Sequence, residues 1–192
     1  MLRNRYGYSL IELLFVIAIV SIITSSLVAL TVQSSRGYRY LQTQSEASVD
    51  LSNTLNRVSK VVRGTSDVIT ADPNSLSIYA FFSPEDAVVK KITYFVEGTT
   101  LKATVIPPTG TAPNYTYDAA NGKTYNLATN LTGAGTVFNY FDASGNQLPS
   151  GFAVTQIKQI SIKITINPNT KVLRQPLTSQ TTVTLRNKKT NL

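Results

Sequence analysis

The chain has 192 residues, 42% hydrophobic and 15% charged, and its 18 Lys and Arg against 10 Asp and Glu leave a net charge of +8. Cysteine, histidine and tryptophan are absent, which removes disulfides, thiolate or imidazole metal sites, and Ser-His-Asp or Cys-His catalysis. The acids are scattered without the spacing of a catalytic pair, so composition predicts no enzyme and no cofactor; the basic balance suits a solvated surface or contact with an anionic polymer such as DNA.

The apolar residues are concentrated at the N-terminus. In "RNRYGYSLIELLFVIAIV" (residues 3–20) one acid, Glu12, stands at the edge of an apolar run, and no charge follows until Arg36. A helix rising ~1.5 Å per residue crosses a ~30 Å hydrocarbon core in about 20 residues, so Leu13 to Val32 is long enough to span. The run exceeds the core of a secretory signal and passes smoothly into helix-compatible sequence, which predicts a retained anchor rather than a removed signal. Arg3 and Arg5 flank one end; Arg36 and Arg39, with Tyr38 and Tyr40 as interfacial aromatics, flank the other. The charges nearly balance, and the N-terminal amine tips the expectation toward a cytoplasmic N-terminus and an extracytoplasmic head.

The helical pattern continues past the anchor. Leu51, Leu55, Val58 and Val62 recur at i, i+4, i+7 and i+11, a narrow apolar stripe. Arg57, Lys60 and Arg63 fall outside it near the expected C-terminus, where cations suit the dipole, and Gly64 is the expected stop. A helix over 8–63 would be about 84 Å long. Gly37 inside it reads either as a flexible point or as a tolerated surface glycine costing ~1 kcal/mol.

After Gly64, Thr and β-branched residues dominate. Strands are expected at 67–71, 75–82, 89–97, 100–106, 136–142, 157–166 and 178–187, and "ISIKITI" (160–166) alternates as a sheet with one wet face requires. Two clusters, "YDAANGKTY" (117–125) and "FDASGNQL" (141–148), carry the chemistry of hairpin turns. "DASGN" lacks the spaced acids of a calcium loop and reads as a turn. "PPTGTAPN" (107–114) reads as an exposed loop. Asn114-Tyr115-Thr116 and Asn130-Leu131-Thr132 match the short acceptor pattern for glycosylation.

The residues "RYGYSLIELLFVIAIVSII" resemble the prepilin signature of type IV pilins and pseudopilins: a short basic leader, Gly7 as its last residue, aromatic Tyr8, Glu12, then an apolar helix. The resemblance implies cleavage between Gly7 and Tyr8 by a prepilin peptidase and methylation of the new N-terminus at Tyr8. It also implies that Glu12 acts in filament assembly, by neutralising a neighbouring subunit's N-terminal amine. Tyr8 stands where family members more often have Phe. The last third, "FNYFDASGNQLP" with "IKQISIKITI" and "TTVTLRN", more weakly resembles PilW or J-type minor pilins and pseudopilins. Ser21 and Ala29 occupy positions where major pilins often have helix-breaking Gly and Pro, and the paired cysteines of many major pilins are missing; both departures favour a minor subunit.

The expected fold is therefore α+β and pilin-like. A leader at 1–7 precedes a helix at 8–63, membrane-spanning or filament-forming over about 8–35, and a mainly antiparallel β-rich head at 64–192. The expected function is a structural minor pilin or pseudopilin in a type IV pilus or type II secretion-like filament. Expected partners are other subunits, the prepilin peptidase, an inner-membrane assembly platform and membrane lipid. The alternative is a membrane-anchored extracytoplasmic module whose basic head contacts DNA or surface polymers.

Overall fold

The computed structural model of the protein describes residues 9–112, 114–132, 137–173 and 175–185. The chain divides into two compact units, Met1–Gln42 and Thr43–Leu192. Helix α1 (Leu10–Arg63) contributes to both.

In the first unit α1 is a bare rod: every residue from Ser9 to Gln42 is exposed. The segment is long and apolar enough to cross a membrane. It is also unbroken, because Ser21 and Ala29 leave the backbone ladder intact.

In the second unit the predicted stripe is buried in full. Leu51, Leu55, Val58 and Val62 are joined by Ala47 and Val61, one turn or one flank away. Each Leu or Val removed from water here is worth roughly 1.5–3 kcal/mol, which is what holds this half of α1 to the sheets. The helix stops at Arg63. Gly64 donates its N–H to the carbonyls of Lys60 and Val61 (3.3 and 3.1 Å) and has no positive φ. The stop is thus a tightened last turn, not the left-handed cap that the glycine suggested.

Five antiparallel strands form one sheet in the order β1 (Asp67–Asp72), β2 (Ser75–Ala80), β3 (Lys90–Glu97), β4 (Thr100–Ile106), β7 (Lys123–Ala128). Three more, β10 (Leu177–Thr184), β9 (Gln159–Ile166) and β8 (Phe138–Phe141), form a second antiparallel sheet. The register explains the alternation read in the sequence. Leu76, Tyr94 and Ala103 lie opposite one another, as do Ile78, Ile92 and Val105, and all face the core. On the opposite face Ser77 bonds Thr93 (2.9 Å) and Thr104 bonds Thr124 (2.8 Å), so the threonine-rich face is satisfied by cross-strand hydroxyl pairs. In β9, Ile160, Ile162, Ile164 and Ile166 are buried while Lys163 points to solvent.

The sheets are joined at the β1–β2 turn. Tyr140 Oη in β8 reaches the carbonyls of Asp72 (2.8 Å) and Ser75 (3.2 Å), and Phe138 donates its N–H to Pro73.

The structure departs from the sequence expectation in three places. Strand β2 ends at Ala80 instead of running to Phe82, because the Asp86 carboxylate accepts the N–H groups of Phe82 and Ser83 (both 2.9 Å) and turns the chain out of the ladder. The 107–114 loop contains β5 (Thr109–Thr111), paired with β6 (Asn114–Thr116) in a small separate hairpin. Gly110 there has φ +94, and a Cβ would meet the Asn114 carbonyl oxygen at 2.9 Å, so only glycine fits. The cluster at 117–125 is not a hairpin between neighbouring strands: Asp118 caps a single 3-10 turn (Ala119–Asn121), and the chain then enters β7, which pairs with β4. The 141–148 cluster is a tight turn as expected. The Asp142 carboxylate accepts from Ser144 N–H, Asn146 N–H and the Asn146 amide, and Phe141 pairs with Gln147 across it.

Candidate functional site

The predicted cleavage and methylation residues, Gly7 and Tyr8, lie outside the described residues. The structure begins where that segment enters the helix. Leu13 N–H donates to the Ser9 carbonyl (3.2 Å), so Ser9 holds the cap position and Glu12 the third helical position. That spacing is a capping-box pattern, and a carboxylate in the first turn complements the partial positive charge of the exposed N–H groups. Glu12 is solvent-exposed in the isolated chain. An acid placed there is compatible with helix formation and remains available for a partner beyond the chain.

Sequence reasoning passed over a second feature of this segment. Among the apolar residues stand five hydroxyls, and each donates to the carbonyl four residues earlier. Ser21 bonds Ile17 (2.7 Å), Thr24 bonds Val20 (2.8 Å), Ser26 bonds Ile22 (2.9 Å), Thr31 bonds Leu27 (2.9 Å), and Ser25 bonds Ser21. An unpaired hydroxyl in an apolar medium costs several kcal/mol on alkane scales, about 4–8. Satisfied within the helix, these groups leave the rod suited to a lipid or helix-packed environment. The signal was present as Ser and Thr i+4 to residues of the helix, but only helical geometry shows that each finds a carbonyl.

In the head, the second half of α1 also guards a sheet edge. Thr54 Oγ1 donates to the Leu127 carbonyl of edge strand β7 (2.9 Å), which occupies an acceptor otherwise open to strand addition. Three residues on, the Arg57 guanidinium lies 4.8 Å from the Phe82 ring centroid, and Phe82 stacks with Tyr125 at 5.4 Å. Asn53, Asn56, Arg57, Lys60 and Gly64 line one wall of a groove of about 690 Å³ whose other wall is the Phe81–Pro84 segment. At the far end of that segment Asp86 is fixed. Burial opposes its ionisation, but the Lys90 ammonium (2.6 Å) and the N–H groups of Ser83 and Phe82 outweigh it and hold the carboxyl below its ordinary value. Asp142 is likewise held low, first by the N–H and amide of Asn146, then by Ser144 and Gly145. Among the described residues no three or more acids gather as a metal-binding group. Both acceptor asparagines, Asn114 and Asn130, are exposed, and Asn130 has φ +58.

Residues 2–30 match the prokaryotic N-terminal methylation motif. This is the prepilin-type N-terminal signature, and it supports a pilin-like chain handled by a prepilin peptidase, with the apolar helix as its membrane anchor. The match takes in Gly7, Tyr8, Glu12 and four of the five hydroxyl residues, stops one residue short of Thr31, and leaves the head unassigned. No curated protein matches the chain.

Proposed function

We propose that the protein is a minor pilin or pseudopilin of a type IV pilus or type II secretion-like filament. It is cut between Gly7 and Tyr8, methylated at Tyr8, held in the inner membrane with its head outside, and passed through an assembly platform into the filament. The observation that carries this reading is the methylation motif over residues 2–30, which takes in the start of an unbroken helix, apolar over its first half, with a single acid in its first turn. Leaving lipid for a filament core, Glu12 needs a counter-charge, and the N-terminal ammonium of an adjacent subunit supplies one, because a buried charge is tolerated only when paired. The missing cysteines and the Ser21 and Ala29 positions support a minor rather than a bulk subunit.

The test is mass spectrometry of membrane-extracted protein combined with fractionation of sheared filaments. A methylated N-terminus at Tyr8 and a filament-associated pool are expected. Trimming beyond residue 25 would instead reveal a conventional secretory signal and end the proposal. Glu12→Val is expected to leave processing and head folding intact while lowering the variant's share in the filament fraction at matched expression.

A further inference from the structure

The groove between the last turns of α1 and the Phe81–Pro84 segment has the makings of a protein-docking surface. Its helix wall carries two cations, Arg57 and Lys60, one turn apart, and the lining residues include no acid. Among the described residues neither cation forms an ion pair: both salt bridges, Lys90–Asp86 and Lys102–Glu97, lie elsewhere. Two acids follow the lining segment: Asp86 is turned away into its own contacts with Phe82 and Ser83 N–H and Lys90, and Glu85 is exposed and outside the lining. The groove's positive charge is therefore not neutralised from within.

The other lining groups are those of a peptide-binding surface. Phe81 is 46% exposed, an apolar anchor held outside the sheet by the Asp86 cap. Asn53 and Asn56 offer amides that donate and accept, the pairing a peptide backbone requires. Arg57 is positioned by the Phe82 ring beneath it, so its planar fork is ordered before a partner arrives and loses little freedom on forming a bidentate carboxylate contact. Aromatic and arginine side chains gathered in one partly buried patch are the usual composition of an interface anchor.

We propose that this groove docks a carboxylate-bearing segment of a neighbouring subunit in the filament, with one acid on Arg57, a second about a helical turn away on Lys60, and an apolar side chain against Phe81. The inference rests on the pilin reading for the identity of the partner as a filament subunit. Charge complementarity selects an acidic partner, and the aromatic geometry selects protein over nucleic acid. Single-strand readers present successive open ring faces to the bases, whereas Phe82 is already engaged by Arg57 and Tyr125, which leaves Phe81 as the free ring of the lining.

The experiment places the photo-crosslinker p-benzoyl-phenylalanine at position 81 of the full chain in cells that assemble the filament. The expected result is a protein adduct whose crosslinked peptide comes from another filament subunit and carries Asp or Glu within one helical turn of the attachment. Lys60→Glu, an exposed substitution that breaks no side-chain ion pair and gives up only the small dipole complement of the last helical turn, is expected to cut adduct yield about tenfold or more through repulsion of the acidic partner, and Lys60→Arg to preserve it. An unchanged melting temperature of the Lys60→Glu protein separates this loss from misfolding. Undiminished adduct with Lys60→Glu, a crosslinked peptide without acids, or an adduct released by nuclease would overturn the proposal. Absence of any adduct while the chain is present in sheared filaments would overturn it too and leave the pilin reading standing. Absence of the chain from filaments would strike the pilin reading itself.

Discussion

Replacing Tyr140 by Phe tests the junction of the two sheets. The ring is 4% exposed and packs on Phe152 with centroids 5.2 Å apart, so Phe keeps the packing and leaves no cavity. What is lost is the phenol's reach to the carbonyls of Asp72 (2.8 Å) and Ser75 (3.2 Å). A phenol has one proton, so the two contacts share one donor, and the loss counts as one hydrogen bond, about 1 ± 0.5 kcal/mol net. Asp72 is exposed and its carbonyl regains water; Ser75 is half-buried and regains it only in part, which adds a fraction of the desolvation penalty. The expected cost is therefore about 1–2 kcal/mol, or roughly 2–8 °C in Tm for a unit of this size. Tyr140→Ala, which also empties the ring's space, should cost about 3–5 kcal/mol. The assay is thermal unfolding of the detergent-solubilised full chain followed by near-UV circular dichroism, which reports head packing rather than helix content. Burial, with the nearby Asp72 charge, pushes the Tyr140 phenol above its ordinary value of 10.0. A raised folded value means that the stabilisation is complete below pH 10 and lost as pH rises through the folded value, so the gap between wild type and Tyr140→Phe should narrow in strong alkali. A Tm within about 1 °C of wild type, or a loss matching Tyr140→Ala, would refute the hydrogen-bonded junction.

Leu55→Ala, in the stripe that holds α1 to the sheets, should destabilise the head by about 2–5 kcal/mol in the same melt. The depressed Asp86 value predicts an acid limb: its stabilisation is present above the ordinary carboxylate value of 3.8 and lost as pH falls through the lower folded value, and Asp86→Asn should flatten that limb in an acid titration. Gly37 has nothing within 4 Å of a would-be Cβ. Gly37→Ala should therefore fit without strain and raise helix stability by up to about 1 kcal/mol by circular dichroism, with filament incorporation unchanged if the position is not a flexible point.

The sequence by itself determined the elements whose signal is local and periodic. The charge-free run after Glu12, the 51/55/58/62 stripe and the alternating isoleucines of β9 each bury or expose one whole face, and a face repeats with a period that the chain displays openly. The methylation motif was legible for the same reason: Gly7, Tyr8 and Glu12 stand at fixed offsets along the chain. Tertiary structure alone decided the rest. Strand β7 is a sheet edge, exposed over Lys123 to Asn126, so it shows little apolar alternation, and its partner β4 lies across the β5–β6 hairpin rather than next in sequence. Phe81 and Phe82 read as the end of a strand until Asp86, four residues beyond Phe82, captured the N–H groups that the ladder would have used. Arg57 and Lys60 read as cations off the apolar stripe that suit the dipole at the helix C-terminus. Only when that side of the helix met the turned-out Phe81–Pro84 segment did two cations, two amides and an exposed ring become one groove, because its two walls come from separate stretches of the chain and leave no periodic trace in it.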